Sequence, residues 1–464
     1  MADMTTQDTD FETLRNRLHR AIPGGAHTYS RGDDQFPAIA PPLLTRGLGA
    51  YVWDSKGNRY LDYGMALRAV TLGYADPRVN AAVVAEMDNG VNLTRATMTE
   101  LRAAETLIDL VPSVDMVKFG KNGSNVTTAA VKIARAYTGK RYVCVPRQQP
   151  FFSFDDWFIG TTALKRGIPA EQTASTLVFD YNDIGSLKAL FDAHPGEIAA
   201  VMLEPATTMI PCPPACTRPA GWPGTGTCAG SDCSAQNFLQ QVEALCRESG
   251  ALFILDEMIT GFRWHLQGAQ TFFGVQPDIT TFGKGMANGF SVAAVGGRRE
   301  VMEVGAINRP GMERTFLLST THGAEMTGLG AFISTAQIYR DEDVAGHLWR
   351  YGASLRDGMT QVAARHGLTA HFQMDGPPIS LNYLTRDAAG QVSLPMRTLL
   401  SQELLKRGVM MPWVAISQSH GPVELQLTLE ALDGALGVYA QALDGGVEKF
   451  LRGPAIRPVF RSHN

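Results

Sequence analysis

Two oppositely charged side chains follow apolar runs of the sequence, at positions from which they could act together. Asp256 comes directly after the run 251–255 (ALFIL), which is typical of a buried strand. Lys284 follows the run 279–282 (ITTF) between two glycines, which permit unusual backbone angles and the close approach of a flat ligand. A buried carboxylate needs a cationic partner, and neighbouring parallel strands end at one sheet edge. The pair could therefore form a salt bridge, or Lys284 could act as a nucleophile.

A helix start upstream has the residue types of an anion site. Asn122, Gly123 and Ser124 open the predicted helix 126–137 directly after the predicted strand 116–119. Free backbone N–H groups and the helix dipole favour an anion there, and glycine with serine suits a phosphate. Small polar residues also serve simply as helix caps, so the segment alone leaves both interpretations open.

An aromatic cluster follows another predicted strand, 142–145. It contains Phe151, Phe152, Phe154 and Trp157. Packing in the core is the more common fate of such side chains, but one ring could instead stack on a flat ligand.

Together these groups are what pyridoxal phosphate requires. A lysine forms a Schiff base with this cofactor, an acid keeps the ring nitrogen protonated, a helix start binds the phosphate, and an aromatic ring stacks on the pyridine. Because the candidate groups lie at successive strand ends, we predict a pyridoxal phosphate site.

The composition excludes several other classes of protein. The 464 residues are 45% apolar and 19% charged, with a net charge of −4, so a soluble globular protein without nucleic-acid partners is expected. The longest apolar runs fall far short of the roughly 18 residues of a membrane span. The start MADMTTQDTDFETL lacks the basic and apolar regions of a secretory signal, which predicts a cytoplasmic protein.

Alternating helices and β-branched runs predict an α/β fold with a mostly parallel sheet covered by helices on both sides. We expect an N-terminal segment 1–70 that contributes to a small domain, a large cofactor-binding domain 71–310 with an insert at 211–234, and a small α+β domain at 325–464. The predicted strands of the large domain are 116–119, 142–145, 176–179, 199–203, 252–255, 279–282 and 292–295.

Several motifs resemble those of a known family. The segments LDEMITGFR (255–263), GVQPDI (274–279) and FGKG (282–285) resemble the signature of class III, fold type I pyridoxal phosphate-dependent aminotransferases. IPGG, GAYVWD and ARAYTG, at 22–25, 49–54 and 134–139, are similar to the glutamate-1-semialdehyde aminomutase branch.

The resemblance implies a role for each matching residue. Lys284 would carry the cofactor as a Schiff base and shuttle a proton, and Asp256 would pair with the ring nitrogen. Gly123 and Ser124, with the preceding Asn122, match the phosphate-binding loop.

The remaining matches concern the faces of the ring and the neighbouring subunit. Phe151 matches the stacking aromatic residue, and Met258 matches the residue on the other face of the ring. Thr321 matches the threonine that binds the phosphate of the neighbouring subunit, which implies a homodimer with shared active sites.

The sequence departs from the family where substrates bind. Phe151–Ser153 replaces a common Tyr-His-Gly triplet, and Asn125 replaces an acidic residue, which leaves the choice of substrate and the outcome of the reaction open. Arg31 aligns with a carboxylate-binding position of the aminomutase, although a solvated loop arginine is an equal alternative. Arg68 lies in an apolar stretch and is a second substrate candidate.

Four cysteines fall within the Pro- and Gly-rich insert, at a C-x3-C-x11-C-x4-C spacing that is compatible with a structural zinc or with free or disulfide-capable thiols. They are Cys212, Cys216, Cys228 and Cys233.

The function predicted is transfer of an amino group from an amino acid or amine to a carbonyl acceptor, including sugar-derived carbonyls, in biosynthesis. The alternatives are a 2,1-aminomutase of the glutamate-1-semialdehyde type, a non-catalytic binding protein that retains the fold, and a redox sensor that uses the cysteine insert.

Overall fold

The computed structural model describes residues 10–149, 151–206, 209–213 and 235–463. The chain divides into two compact units. The smaller unit comprises Met1–Leu67, Leu72–Asp76 and Leu348–Arg461, and the larger comprises Arg68–Thr71, Pro77–His347 and Ser462–Asn464.

The secondary structure alternates between strands and helices through the larger unit. The strands are β1 (Leu44–Leu48), β2 (Tyr51–Asp54), β3 (Arg59–Asp62), β4 (Met116–Gly120), β5 (Tyr142–Pro146), β6 (Thr176–Phe179), β7 (Ile198–Leu203), β8 (Leu252–Asp256), β9 (Ile279–Phe282), β10 (Ala293–Gly297), β11 (Phe372–Asp375), β12 (Asn382–Thr385) and β13 (Val409–Met410). The helical segments are α1 (Phe11–Ala21), α2 (Met65–Arg68, one left-handed turn), α3 (Pro77–Asp88), α4 (Met98–Leu110), α5 (Gly123–Thr138), α6 (Asp156–Ile159), α7 (Ile184–Ala193), α8 (Phe238–Ser249), α9 (Ala269–Phe273), α10 (Arg299–Met302), α11 (Met326–Asp341), α12 (Val344–Arg365), α13 (Leu394–Lys406) and α14 (Pro422–Gly445).

The larger unit is built on a seven-stranded sheet in the order β4-β10-β9-β8-β7-β5-β6. Strand β10 is antiparallel to both of its neighbours, and the other pairs are parallel. Because β7, β8 and β9 are parallel neighbours, the residues that follow their carboxyl ends meet at one edge of the sheet.

The central strands are apolar on both faces because each face packs into its own core. In β8, Leu252 and Ile254 join a core that includes buried residues of α5, whereas Phe253 and Leu255 join a core that includes buried residues of α8. This alternation explains why the run ALFIL contains no polar residue before Asp256.

The smaller unit has a four-stranded sheet in the order β1-β2-β3-β13 and a hairpin, β11-β12. Strands β1, β2 and β3 are antiparallel, while β13 joins β3 in parallel. A small core around Val52 and Met410 supports this sheet.

The predicted α/β architecture with a mostly parallel sheet is confirmed, and each predicted strand lies within two residues of the observed bounds. The predicted boundary at 325 differs from the observed division, in which the larger unit extends to His347. The reason is that α11 packs on α3 and α4 of the larger unit. In the described part of the chain, no helix is long and apolar enough to span a membrane.

Candidate functional site

Asp256 is a buried carboxylate with one oxygen already held by the protein. It ends β8, and only 1% of its surface is exposed. Its Oδ1 accepts hydrogen bonds from the Met258 N–H at 2.9 Å and from the hydroxyl of Thr281, its partner in β9, at 3.0 Å. Among the described residues both hydrogen bonds reach Oδ1, so Oδ2 is left to bind a cationic group.

Lys284 is the first residue of a short 3-10 turn that follows β9. Its own φ of 43° is left-handed, whereas Gly283 is extended with a φ of −179°. A Cβ on Gly283 would lie 2.6 Å from Sδ of Met258, and one on Gly285 would lie 2.7 Å from Oγ1 of Thr71. The unusual backbone angle therefore lies on the lysine, and the two glycines leave room for packed side chains. The expected close approach of a flat ligand stays a prediction.

Burial changes the proton affinity of both charged groups. It raises the pKa of Asp256 to about 6, against the lowering effects of its two hydrogen bonds and the charge of Lys284. Burial lowers the pKa of Lys284, and the charge of Arg68 lowers it further. Glu204 and Asp256 act in the opposite direction. On balance Lys284 loses its proton more readily than a surface lysine, as a nucleophilic or basic amine must.

The start of α5 forms another part of the same site. The Asn122 side chain accepts a backbone N–H of the first turn at 3.0 Å and so caps the helix. Oγ of Ser124 accepts the N–H of Phe154 at 3.0 Å, which leaves its hydroxyl proton to donate elsewhere. A Cβ on Gly123 would lie 3.2 Å from Sδ of Met258, so this methionine packs against both the helix start and the lysine turn.

The aromatic loop after β5 is divided between core and surface. Phe152, Trp157 and Phe158 belong to the core of the larger unit, whereas Phe151 is 44% exposed. The Phe151 and Phe158 rings are nearly perpendicular, with their centroids 6.4 Å apart. Ser153, fully buried, lies 3.1 Å from the hydroxyl of a threonine on α5 and anchors the loop.

Glu204 is a buried carboxylate of the site that the sequence analysis did not single out. It directly follows β7 and is 4% exposed, and since Leu203 pairs with Leu255, it lies beside Asp256 at the sheet edge. The side-chain amide of Gln149 donates to the Glu204 carbonyl and accepts a hydrogen bond from the Glu204 N–H, each at 2.7 Å. The signal was available, because Glu204 follows the apolar run IAAVML as Asp256 follows ALFIL.

Two arginines approach the lysine turn. Arg263, only 3% exposed, donates through Nη1 to Oγ1 of Thr71 at 3.1 Å, and the Thr71 N–H donates to Oδ1 of Asn288 at 3.0 Å. The segment that begins at Arg68 is thereby held against the turn of Lys284. Arg68, a predicted substrate residue, is thus brought into electrostatic range of Lys284.

The other predicted residues lie at exposed positions. Thr321 is in an irregular loop of the larger unit, where its carbonyl accepts a hydrogen bond from Nδ2 of Asn92 at 2.9 Å. Arg31 belongs to the smaller unit and ends the short 3-10 helix Tyr29–Arg31, with its side chain exposed.

Only one of the four insert cysteines falls in the described part of the chain. Cys212 is buried, and its backbone N–H donates to Oδ1 of Asn182 at 2.8 Å. Cys216, Cys228 and Cys233 lie outside the described residues, so the zinc site stays a prediction. Within the described ranges no cluster of His, Cys, Asp and Glu could hold a metal ion.

Comparison with known proteins gives consistent matches along the chain. The sequence model of class III aminotransferases matches residues 29–209 and 225–412. The glutamate-1-semialdehyde 2,1-aminomutase of Alkaliphilus oremlandii (strain OhILAs) is 30% identical over 445 residues, which are 92% of this chain and 98% of that protein.

Two solved structures share the fold over most of their length. The pyridoxal phosphate internal aldimine form of the FumI protein of Sphingopyxis sp. MTA144 superposes with a TM-score of 0.82 at 26% identity, covering 94% of this chain and 98% of that chain. An omega-transaminase from Sphaerobacter thermophilus superposes with a TM-score of 0.75 at 26% identity, covering 93% and 98%.

Proposed function

Because the chain belongs to the class III aminotransferase family of pyridoxal phosphate-dependent enzymes, we propose that it transfers an amino group from an amino acid or amine to a carbonyl acceptor, with Lys284 as the amine that holds the cofactor. The family accounts for the fold type I architecture of the large parallel sheet and the smaller α+β unit. The observation that carries the proposal is the placement of the buried Asp256 and the half-buried Lys284 at the ends of adjacent parallel strands.

The residues at the sheet edge fit pyridoxal phosphate. When bound, this cofactor supplies an electron-withdrawing ring that stabilises negative charge on the carbon bearing the amino group. Oδ2 of Asp256 is available for the protonated ring nitrogen. The first turn of α5, with Gly123 and the Ser124 hydroxyl, offers donors to a phosphate. Met258 and Phe151 offer apolar surfaces for the two faces of the ring.

Lys284 supplies the amine and a base for proton transfer. Burial and the nearby Arg68 lower its pKa, so a neutral amine is more accessible at moderate pH than on a surface lysine. Once the substrate amine has replaced it, the same nitrogen can accept the proton that leaves the substrate carbon.

Two arginines support an anionic substrate. Arg68 lies close to Lys284 in the larger unit, and a guanidinium so placed suits a carboxylate on the amino donor. Arg31, exposed in the smaller unit, is the second proposed contact. For the acceptor, we propose a keto or aldehyde compound, including sugar-derived carbonyls.

The second candidate is an aminomutase that moves nitrogen within one molecule, and it is favoured by the 30% identical relative of that name. The two functions differ in whether a carbonyl product leaves the enzyme. A panel of amino donors should therefore be mixed with the holoenzyme in a single turnover, while the cofactor absorbance and the released carbonyl compound are both measured.

An aminotransferase releases one keto or aldehyde product per active site together with a lasting change of cofactor absorbance. A donor that gives an isomerised amine without any released carbonyl would support the aminomutase instead. No absorbance change with any donor would contradict both functions and favour a binding protein.

The proposal includes a homodimer in which Thr321 contacts the phosphate of the partner subunit's cofactor. Support comes from exposed apolar side chains on α3, on α4 and in the loop between them, namely Val84, Met87, Leu93, Met98, Leu101 and Ile108. Asn92 of that loop binds the Thr321 carbonyl, so the threonine lies at the border of this apolar face.

Analytical ultracentrifugation tests the assembly directly. The wild type should sediment as a dimer, and Leu101→Arg, on the exposed apolar face, should shift it toward monomer. Thr321→Val should weaken cofactor binding in the dimer, whereas the neighbouring Thr320→Val should not. A monomeric, fully active wild type would contradict the shared site.

A biosynthetic role in the cytoplasm completes the proposal. Its support is the match of the chain to the class III aminotransferase family. Localisation of the tagged protein and metabolite profiling of a deletion strain test the two parts separately.

A further inference from the structure

Charged groups approach Lys284 from three separate elements. Asp256 ends β8, Glu204 directly follows the neighbouring β7, and Arg68 begins the segment whose Thr71 packs on the lysine turn. Two of these groups are anionic and one is cationic. The amine of Lys284 is therefore set between opposing charges in a buried environment, where charges interact strongly.

Two further polar side chains, those of Tyr339 and Arg263, lie near Gly285 in the lysine turn. The hydroxyl of Tyr339 donates to the Gly285 carbonyl at 2.6 Å, and the aliphatic part of Arg263 lies near the same glycine. Nη1 of Arg263 is engaged by Thr71. These two residues hold the shape of the turn, while Glu204, Asp256 and Arg68 act on the lysine charge.

Glu204 acts on both neighbouring cations. It raises the pKa of Lys284 more strongly than Asp256 does, in opposition to burial. It also raises the pKa of Arg68, against the lowering effect of burial. Arg68 in turn lowers the pKa of Lys284.

Glu204 is buried, and its backbone is held in place by a neighbouring side chain. Glu204 is 4% exposed, and its backbone carbonyl accepts from, and its N–H donates to, the Gln149 side chain, each at 2.7 Å, which fixes the backbone just past the end of β7. A carboxylate that is largely out of water exerts a stronger field than a solvated surface acid.

We propose that Glu204 and Arg68 are opposed positioning residues that control the proton of Lys284, with Glu204 retaining it and Arg68 promoting its loss. The proposal rests on the role of Lys284 as the reactive amine under the proposed function. One consequence concerns the timing of the reaction: an anionic substrate group that neutralises Arg68 removes the charge that expels the proton. Lys284 would then be a stronger base at the step in which it takes a proton from the substrate.

The test measures the proton on Lys284 without using catalysis. Full-length protein freed of cofactor is exposed to a trace of acetic anhydride at a series of pH values, and acetylation of Lys284 is quantified by mass spectrometry. The exposed Lys188 in the same sample is the internal reference. Only the neutral amine reacts, so the pH midpoint of labelling reports when the proton leaves.

Glu204→Gln should move the midpoint down by about one pH unit, which is a roughly tenfold faster labelling at a fixed pH below it. Arg68→Gln should move it up by a similar amount, and the double variant should return close to the wild-type midpoint. Glu197→Gln, which removes the same charge from the exposed opposite end of β7, should leave it unchanged.

If Glu204→Gln does not fold, two variants of Arg68 test the proposal instead. Arg68→Lys keeps the positive charge and should keep the wild-type labelling midpoint, whereas Arg68→Gln should raise the midpoint. Unchanged midpoints, or shifts of the same sign in the two single variants, would overturn the proposal. Failure of the proposed function is seen separately, as a borohydride-reduced pyridoxyl adduct on a lysine other than Lys284.

Discussion

The hydroxyl of Thr281 donates a 3.0 Å hydrogen bond to Oδ1 of Asp256, its directly paired residue on the neighbouring parallel strand. Together with the Met258 N–H, this bond fixes the carboxylate and points its other oxygen toward a ligand. Thr281→Val keeps the shape and removes the donor. We expect cofactor affinity to fall about tenfold, because a hydrogen bond to a charged group contributes about 1.5 kcal/mol.

The affinity is measured by titrating cofactor-free protein with pyridoxal phosphate. Thr280→Val, one residue earlier in the same buried strand, is the matched control and should bind normally. Equal loss in both variants would mean that strand packing, rather than the orientation of Asp256, was disturbed.

Asp256 makes the stability of the cofactor-free protein depend on pH. Burial raises its pKa from 3.8 to about 6, so the folded state binds this proton more tightly than the unfolded state. The corresponding stability is fully present below about pH 4 and is lost as the pH rises through 6, with a size of about 3 kcal/mol. Asp256→Asn should remove this loss.

Denaturant titrations at several pH values check the sign. Without cofactor, Asp256→Asn should be at least as stable as the wild type above pH 6, while with cofactor it should be less stable because the ring nitrogen has lost its partner. A variant that is less stable than the wild type above pH 6 even without cofactor would contradict this account of the carboxylate.

The Met258 side chain occupies the space that a side chain at position 283 would need. Gly283→Ala would bring a Cβ to within 2.6 Å of the methionine sulfur, and such overpacking typically costs about 1–3 kcal/mol. We expect a lower free energy of unfolding and weaker cofactor binding, measured by denaturant titration and by absorbance. Gly283→Ala should cost less stability in a Met258→Ala background than in the wild type, and an equal cost in both backgrounds would show that the clash is not the cause.

The left-handed turn that ends at Arg68 has a strained backbone. Met65, Ala66, Leu67 and Arg68 all have positive φ values between 40° and 66°, which cost about 1–2 kcal/mol per non-glycine residue. Ala66→Gly should therefore raise the melting temperature or leave it unchanged, whereas Ala69→Gly, outside the left-handed stretch, should lower stability by about 0.5–1 kcal/mol. Equal losses in both variants would argue against stored strain.

Strand positions and the main site could be predicted because local patterns determine them. Runs such as ALFIL are apolar on both faces of a buried parallel strand, and this makes their ends, including Asp256, visible in the sequence. The proximity of Asp256 and Lys284 followed from the expected adjacency of β8 and β9, which the register of the sheet bears out.

Other features depend on long-range packing that local patterns do not contain. The antiparallel orientation of β10 and its place between β4 and β9 are set by the whole sheet. Unusual backbone angles were expected at the two glycines, because glycine is their usual carrier, whereas the left-handed φ lies on Lys284 itself. Glu204 also follows an apolar run, but it was missed in the sequence. Asp256 was recognised because Lys284, of opposite charge, follows the next apolar run, and Glu204 is not followed by such a residue.

The identity of the amine that holds the cofactor tests the central claim most directly. The holoenzyme is reduced with sodium borohydride, digested, and searched by mass spectrometry for the lysine that retains the pyridoxyl phosphate group. The account predicts that the group is on Lys284 and that a Lys284→Ala variant yields no reduced adduct while still folding. A reduced adduct on any other lysine, or an undiminished yield of reduced adduct in Lys284→Ala, would contradict it.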